Sequence, residues 1–500
     1  MHTIDSVDNL SDHLPLSFEL NVDVDYVNVV RAMRSAPRWG DATEEHHEAY
    51  RDALDSELST IEVPLEAVRC TDMLCNKQSH SDALKAYHNG LVEACLRAAD
   101  QTIPCTSAGG SSRRRGAIPG WNEHIRPLKD DALFWHYIWK ENGRPQTGII
   151  ADIRRRTRAR YHGMLRRLTK NEGIMRKIKM AENFIASNRK EFWTEVKKMK
   201  GGTGNTPACI DGSHGDDSIA QVFGQKYEQL FNSVQYDEDG INDFKSRIDA
   251  DVVCHSRHEC HAHNVLVCDV IAMSKQLKQG KHDGSEGLYS NHVTRGSHRL
   301  HCSLTLLFNG LLMHASVPDG FVLSTVIPIP KNKRKSLNDS DNYRGIALSS
   351  ILGKLLDKII LHKEQSVFKS SEYQFGYKQS HSTMHCSFVV NEIIQYFHNH
   401  GSDVYVALLD ATKAFDCVEY LKLFHLLMRR KLCPLIIRFL LKLYTEQKLR
   451  VKWNNSFSKN FPVSNGVKQG GVLSPLLFTV YMDFLLDRLK NSNVGISYQI

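Results

Sequence analysis

No apolar run in the chain approaches the ~20 residues of a bilayer-spanning helix, and the longest candidates are broken by basic residues, as in Leu435–Tyr444, LIIRFLLKLY. A membrane-embedded function is set aside and no membrane partner is expected. No secretory leader is expected, and there is no Cys-x-x-Cys pair; the 12 cysteines, among them Cys70, Cys75, Cys95 and Cys105, are scattered over 500 residues. That usage suits reduced intracellular thiols and argues against a disulfide scaffold. An overall charge excess is also small, at +8, but its distribution is uneven. Between Arg113 and Lys200 there are 23 basic and 9 acidic residues, a net +14 that leaves −6 for the rest of the chain. A positive field so localised points to a polyanion. The 41% hydrophobic content is enough for a sizeable core, and the length suggests about three domains.

What is present is organised around Val404–Cys417, VYVALLDATKAFDC. The apolar run before Asp410 predicts a strand buried on both faces, with Asp410 at its carboxyl end and Asp416 six positions later. An isolated Asp in that position more often caps a following helix, here begun by Ala411-Thr412-Lys413. A glycine-paired loop changes that balance: Asn465-Gly466-Val467-Lys468-Gln469-Gly470-Gly471-Val472-Leu473-Ser474-Pro475 leads into an apolar helix, and glycine there permits close backbone approach to a ligand. The two motifs together are far more specific than either alone.

Taken in order, Ser11-Asp12-His13 precedes a short alternating apolar strand, which a solvated turn and edge strand would explain. Mixed-charge helical pattern follows, up to the breaker run Thr106–Ser112. Beyond Ile118-Pro119-Gly120-Trp121-Asn122 comes a helix with Phe134, Trp135, Tyr137 and Trp139, read as core, and then a second helix. One face of the second helix carries Arg154, Arg155, Arg156, Arg158, Arg160, Arg166 and Arg167. Arginine dominates over lysine with few acids interleaved, which favours nucleic acid over a merely solvated face. Cys254–His263 gathers two thiols and four imidazoles, but in a spacing that matches no standard zinc module and reads as a polar loop. The segment Lys278–Leu288, KQGKHDGSEGL, precedes a strand ending in Lys331, and after a basic loop Asp341–Leu348 reads DNYRGIAL. A Lys and an Arg from adjacent strands suit a leaving pyrophosphate. Gln374–Lys378 with Ser382-Thr383 forms a turn into a further helix.

These motifs resemble the reverse transcriptase of LINE-type (non-LTR) retrotransposons, with D-x-x-x-A-F-D at Asp410–Asp416 and G-x-x-Q-G-x-x-x-S-P at Gly466–Pro475. The resemblance implies an α+β fold: right-hand polymerase fingers and palm, incomplete, preceded by a mostly helical basic linker. It makes Asp410 the catalytic, metal-binding carboxylate, Phe415 the aromatic that opposes a ribonucleotide 2′-hydroxyl, and Asp416 a structural residue of the turn. Lys331, Arg344, Gln469 and Gly470 would meet the nucleotide, and the 374–383 motif the template. Asp12 and His13 would belong to the end of an apurinic-type endonuclease. The implied organisation is 1–20 endonuclease remnant, 21–112 helical connector, 113–204 basic linker, 205–263 helix and polar loop, and 264–500 fingers with a partial palm. The implied activity is RNA-directed DNA synthesis with RNA template, DNA primer, dNTPs and two Mg2+ ions, in a ribonucleoprotein with the element RNA found in nucleus and cytoplasm. Two divalent ions roughly 3.5–4 Å apart need carboxylates from neighbouring strands. Glu286 and Gly345 stand where Asp and Pro are usual, and no F/Y-x-D-D hairpin follows Ser474–Leu489 before Ile500, so residues 1–500 alone are expected to be inactive. A noncatalytic nucleic-acid-binding remnant is the alternative; a group II intron or telomerase relative would not explain SDHLP or the PGWN linker.

Overall fold

The computed structural model describes residues 2–3, 16–17, 36–105, 125–186, 188, 192–193, 196, 207–254, 264–378, 380–411 and 413–492. The chain divides into two compact units, 1–34 with 107–206 and 35–106 with 207–500. Asp12, His13 and the 255–263 part of the Cys/His cluster lie outside the described residues. Among those described, no helix is long and apolar enough to cross a membrane.

The second unit opens with helices α1 (Glu44–Ser59), α2 (Leu65–Val68) and α3 (Gln78–Thr102). The grouping of 21–112 as a connector differs from this division, because Tyr50, Leu54, Leu84 and Leu91 sit in one apolar core with residues of the 264–500 segment. In the first unit, α4 (Arg126–Glu141) and α5 (Ile149–Lys170) pack around Ile125, Ala132, Tyr161 and Leu168. Of the α4 aromatics read as core, Trp139 is buried but Phe134 and Tyr137 are exposed, since the apolar stripe facing α5 is carried by Ala132 and Trp139.

The second unit continues with α6 (Asp216–Leu230), α7 (His298–His314), strands β1 (Leu323–Pro330) and β2 (Tyr343–Leu348), α8 (Ile351–Lys363), α9 (Tyr420–Arg429), α10 (Pro434–Thr445), strands β3 (Lys448–Trp453), β4 (Ser456–Phe457) and β5 (Phe461–Pro462), and α11 (Ser474–Asn491). The five strands form one sheet in the order β2-β1-β3-β4, with β5 also on β3. β1 is central: it runs antiparallel to β2, with Ile329 opposite Arg344, and parallel to β3, with Leu323 opposite Lys448. Phe223 and Tyr227 of α6 cover one face, Phe223 lying over Trp453 at 5.2 Å between ring centroids. The LIIRFLLKLY helix, α10, is buried nearly all round, as its composition requires. Its Arg438 is accommodated by donating to the carbonyls of Met73 and Met313.

The strand expected at 404–409 does not form. Residues 403–411 lack regular structure, and Tyr405, Leu408 and Leu409 are 94%, 92% and 87% exposed. A strand needs a ladder partner for its N–H and C=O groups. Both sides of β1 are occupied, and the Ala347 N–H on the outer side of β2 already donates to the Gln469 carbonyl at 2.8 Å. The alternative of Asp410 capping a helix at Ala411 is not seen either, since the chain turns through 413–417 and the next helix begins at Tyr420.

Candidate functional site

The glycine loop is fastened to the turn that follows Asp410. Gly466 N donates to Val418 O and Val467 N to Phe415 O, both at 2.8 Å. Gly466 has φ +90°, and a Cβ there would stand 2.7 Å from Asp416 O, so only glycine lets the two backbones meet. Asn465 completes the clasp: its Nδ2 donates to Asp416 O at 2.5 Å and its Oδ1 accepts from Val234 N at 3.2 Å. Further along, Gly470 has φ +109° and lies against Ala347 O, where a Cβ would come within 2.8 Å. Gln469 is thereby fixed between β2 and the turn, and its Nε2 faces the Asp416 carboxylate at 3.4 and 3.5 Å.

Asp416 is only 6% exposed, and burial raises its pKa from 3.8 to about 6 against the opposing pull of Gln469, Lys413 and Lys331. It is a turn carboxylate held by the loop. The Asp410 carboxylate, by contrast, is exposed on the unpaired segment and is not brought to Asp416, Lys331 or Gln469 by any contact among the described residues. Lys331 extends from β1, its backbone N–H donating to Asn342 O at 2.6 Å and its Nζ to Asp341 O at 3.0 Å. Arg344 is exposed on β2 near the same end of the hairpin. Lys226 of α6, which the sequence reading missed, reaches Asp341 Oδ1 at 2.5 Å. The Lys226 hydrogen bond and charge, with Lys331 and Lys413 behind them, hold the Asp341 carboxyl below its ordinary range. Lys226, Lys331 and Lys413 thus surround the Asp341 carboxylate, with Arg344 exposed on the same hairpin. Only the helical spacing of Lys226 could have flagged it, and that spacing suits any solvated lysine.

Phe415 is half-buried and stacked on Phe478 of α11 at 4.8 Å and 17°, with Tyr377 edge-on at 5.8 Å. In the turn expected to touch template, Gln374 Nε2 donates to Thr479 O at 3.0 Å and to Asp483 Oδ1 at 2.9 Å, anchoring the turn to α11. In Lys278–Leu288 the role is also internal, Glu286 accepting from Ser350 Oγ at 2.8 Å and lying 3.4 Å from His88 Nε2.

In the first unit Arg155, Arg156, Arg160, Arg166 and Arg167 are exposed along α5. Arg154 is committed elsewhere: its guanidinium lies 3.8 Å from the Trp139 ring centroid and its Nε donates to His136 Nδ1 at 3.2 Å. Stacking on a buried indole makes it part of the α4–α5 packing. Arg158 is half-buried beside His162, at 3.4 Å.

Replacing Asp416 by Asn tests the electrostatics. A carboxyl whose folded pKa lies above its unfolded value disfavours folding once ionised, so its effect is absent below 3.8 and complete above about 6. Asp416→Asn removes that cost, and its stability relative to the parent should improve by about 1–3 kcal/mol between pH 4 and pH 7. Urea midpoints at the two pH values measure it; a difference that stays constant with pH contradicts the assignment.

The segment that carries this site is a mixed helix and sheet region in which a glycine loop clasps a turn carboxylate beside the β1–β2 hairpin. Residues 329–499 match the family of reverse transcriptases (RNA-dependent DNA polymerases). The chain is 31% identical over 186 residues to the RNA-directed DNA polymerase from mobile element jockey of Drosophila melanogaster, covering 36% of this chain and 20% of that protein. It is 27% identical over 187 residues to the retrovirus-related Pol polyprotein from type-1 retrotransposable element R2 of Nasonia vitripennis, covering 37% and 18%. A probable RNA-directed DNA polymerase from transposon BS of Drosophila melanogaster is 27% identical over 223 residues, covering 43% and 24%. In this segment the chain is similar to the reverse transcriptases of non-LTR retrotransposable elements, and it spans less than a quarter of the length of each of these relatives.

Proposed function

We propose that the chain contributes fingers and part of the palm to an RNA-directed DNA polymerase of a non-LTR retrotransposon, acting on an RNA template, a DNA primer and dNTPs within a ribonucleoprotein of the element RNA in nucleus and cytoplasm. The observation that carries this reading is the fastening of the Gln469-Gly470 loop to the Phe415–Asp416 turn beside the Lys331 and Arg344 hairpin. In it, Lys331 and Arg344, with Lys226 and Lys413, neutralise a triphosphate; Gln469 and Gly470 set the floor of the nucleotide position; and Phe415, fixed on Phe478, opposes the 2′-hydroxyl. Reverse transcriptases generally use divalent metal ions. Magnesium, supplied there, would activate the primer oxygen and neutralise the leaving pyrophosphate. Asp410, exposed and unpaired, fits a share of such a site, but the donors gathered among the described residues do not make a two-ion site.

Primer extension decides the matter. Because most of each relative's length lies outside the match, the informative protein is this chain joined after Ile500 to the part of the jockey polymerase that follows its matched region. Extension of a DNA primer on RNA is expected from the fusion and not from residues 1–500 alone. A fusion that binds primer–template without extending it would favour the second reading, a noncatalytic nucleic-acid-binding remnant, to which the exposed position of Asp410 lends support.

The basic linker is proposed to bind RNA or single-stranded DNA through the exposed arginines of α5. Affinity of the 500-residue chain should fall steeply with salt, and Arg155→Gln/Arg156→Gln/Arg160→Gln should lower the slope of log K against log salt by roughly 2 if each arginine neutralises one phosphate. Filter binding at graded salt measures this. An unchanged slope makes the face a solvated surface. Arg154→Gln should spare the slope and instead weaken the α4–α5 hairpin.

A further inference from the structure

Cys70, Cys75, His80 and His314 converge in the second unit, and nothing in the polymerase reading uses them. The loop between α2 and α3 delivers both cysteines, His80 sits in the first turn of α3, and His314 is the last residue of α7. One ligand atom from each lies within 4.8 Å of the other three, and all but Cys70 are buried. Cys75 Sγ is 3.4 Å from His80 Nδ1. In a tetrahedral zinc site, bond lengths of ~2.3 Å to sulfur and ~2.1 Å to nitrogen put neighbouring ligand atoms about 3.4–3.8 Å apart. The four atoms therefore already occupy the space of one coordination sphere.

A second observation concerns His314, which is 7% exposed. Its Nε2 is 2.9 Å from Ala67 O, whereas its Nδ1 is buried with no hydrogen-bond partner. Donation from Nε2–H to a carbonyl leaves the Nδ1 lone pair free, which is the tautomer and backing that metal-ligating histidines use. An orphaned ring nitrogen in a buried setting otherwise carries a desolvation cost. Arg438 adds rigidity by donating to the carbonyls of Met73, in the cysteine loop, and Met313, next to the histidine. The rings of His80 and His314 meet edge to face at 5.1 Å.

We propose that Cys70, Cys75, His80 and His314 bind one zinc ion in a structural Cys2His2 site that ties the α2–α3 loop to the end of α7. Two thiolates and two imidazoles favour zinc over hard cations, which take oxygen ligands, and four protein ligands leave no open position for catalysis. The local sequence spacing, Cys-x4-Cys-x4-His, lacks its fourth member until the fold brings His314 to it.

The test uses the 500-residue chain purified under reducing conditions without chelator. Plasma mass spectrometry should find about one zinc per chain from these four ligands. Replacement by Co2+ should give the d–d bands of a tetrahedral ion and a thiolate charge-transfer band. Cys75→Ser and His314→Ala should each lose the metal, while Cys254→Ser/Cys260→Ser, in the other Cys/His-rich segment, should keep it. Should those variants misfold, chelation of the parent supplies the second measurement: zinc removal should lower the thermal midpoint and readdition restore it. A folded parent without zinc or cobalt signal, zinc retained in Cys75→Ser, zinc lost only from the Cys254/Cys260 variant, or a Cys70–Cys75 disulfide under reducing conditions would each overturn the proposal.

Discussion

Asp410→Asn in the fusion described above is expected to lower primer extension by roughly 10³-fold or more, the equivalent of several kcal/mol of lost charge stabilisation. The substitution keeps the side chain's size and hydrogen-bonding reach and removes only its negative charge. Because Asp410 is exposed and contributes to no packed core, folding should be untouched, and the melting midpoint of the variant should equal that of its parent. That pairing separates Asp410 from Asp416. The latter is buried against Gln469, so Asp416→Asn changes stability and its pH dependence instead. Two carboxylates six residues apart thus meet different surroundings: one is desolvated and bonded to the loop, the other is exposed to water. Extension that persists in Asp410→Asn would move the metal site elsewhere.

Much of this arrangement was legible from residue order, for local reasons. The strand before Lys331 and the helix after Ser474-Pro475 follow from apolar pattern and breakers, and both formed close to their expected bounds, as Leu323–Pro330 and Ser474–Asn491. The glycines of the 466–471 loop announced close backbone approach, although what approaches is the protein's own Asp416 and Ala347 carbonyls. The 404–409 run misled because apolar pattern reports what a strand could bury and not whether a neighbour offers it a ladder. The 374–383 motif gave no sign of its internal role, in which the Gln374 amide ties the turn to α11. The thiol and imidazole cluster was out of reach, since His314 lies 234 residues beyond His80 in the chain and only the packing of α7 on α3 joins them. Lys226 belongs to the same class, being defined by Asp341 across more than a hundred residues.

Asp483→Ala is expected to be the most destabilising of the substitutions considered, at about 3 kcal/mol, because it removes the acceptor on which three donors converge. Asp483 lies on α11 and is 2% exposed. It accepts from Arg430 Nη2 at 2.5 Å, from Gln374 Nε2 at 2.9 Å and from Ser371 N at 3.1 and 3.2 Å. Removing it leaves a guanidinium without its counter-charge in a site only partly open to water. The cost falls at the lower end of the range for broken buried pairs, because Arg430 keeps the carbonyls of Val367 and Lys369 at 3.1 and 2.8 Å and is still partly hydrated. Arg430→Met should cost less on its own, and the Asp483→Ala/Arg430→Met chain should be more stable than the sum of the two losses predicts, since no lone charge remains. The effect should also reach the candidate site: the anchored turn carries Tyr377, whose ring meets Phe415, so loosening it frees one wall around that aromatic. Urea unfolding of the four chains gives the coupling, and limited proteolysis should find new cleavage between Lys369 and Lys378 in Asp483→Ala. A loss below about 1 kcal/mol, with no new cleavage, would mean that Thr479 and the two carbonyls hold the turn without the carboxylate.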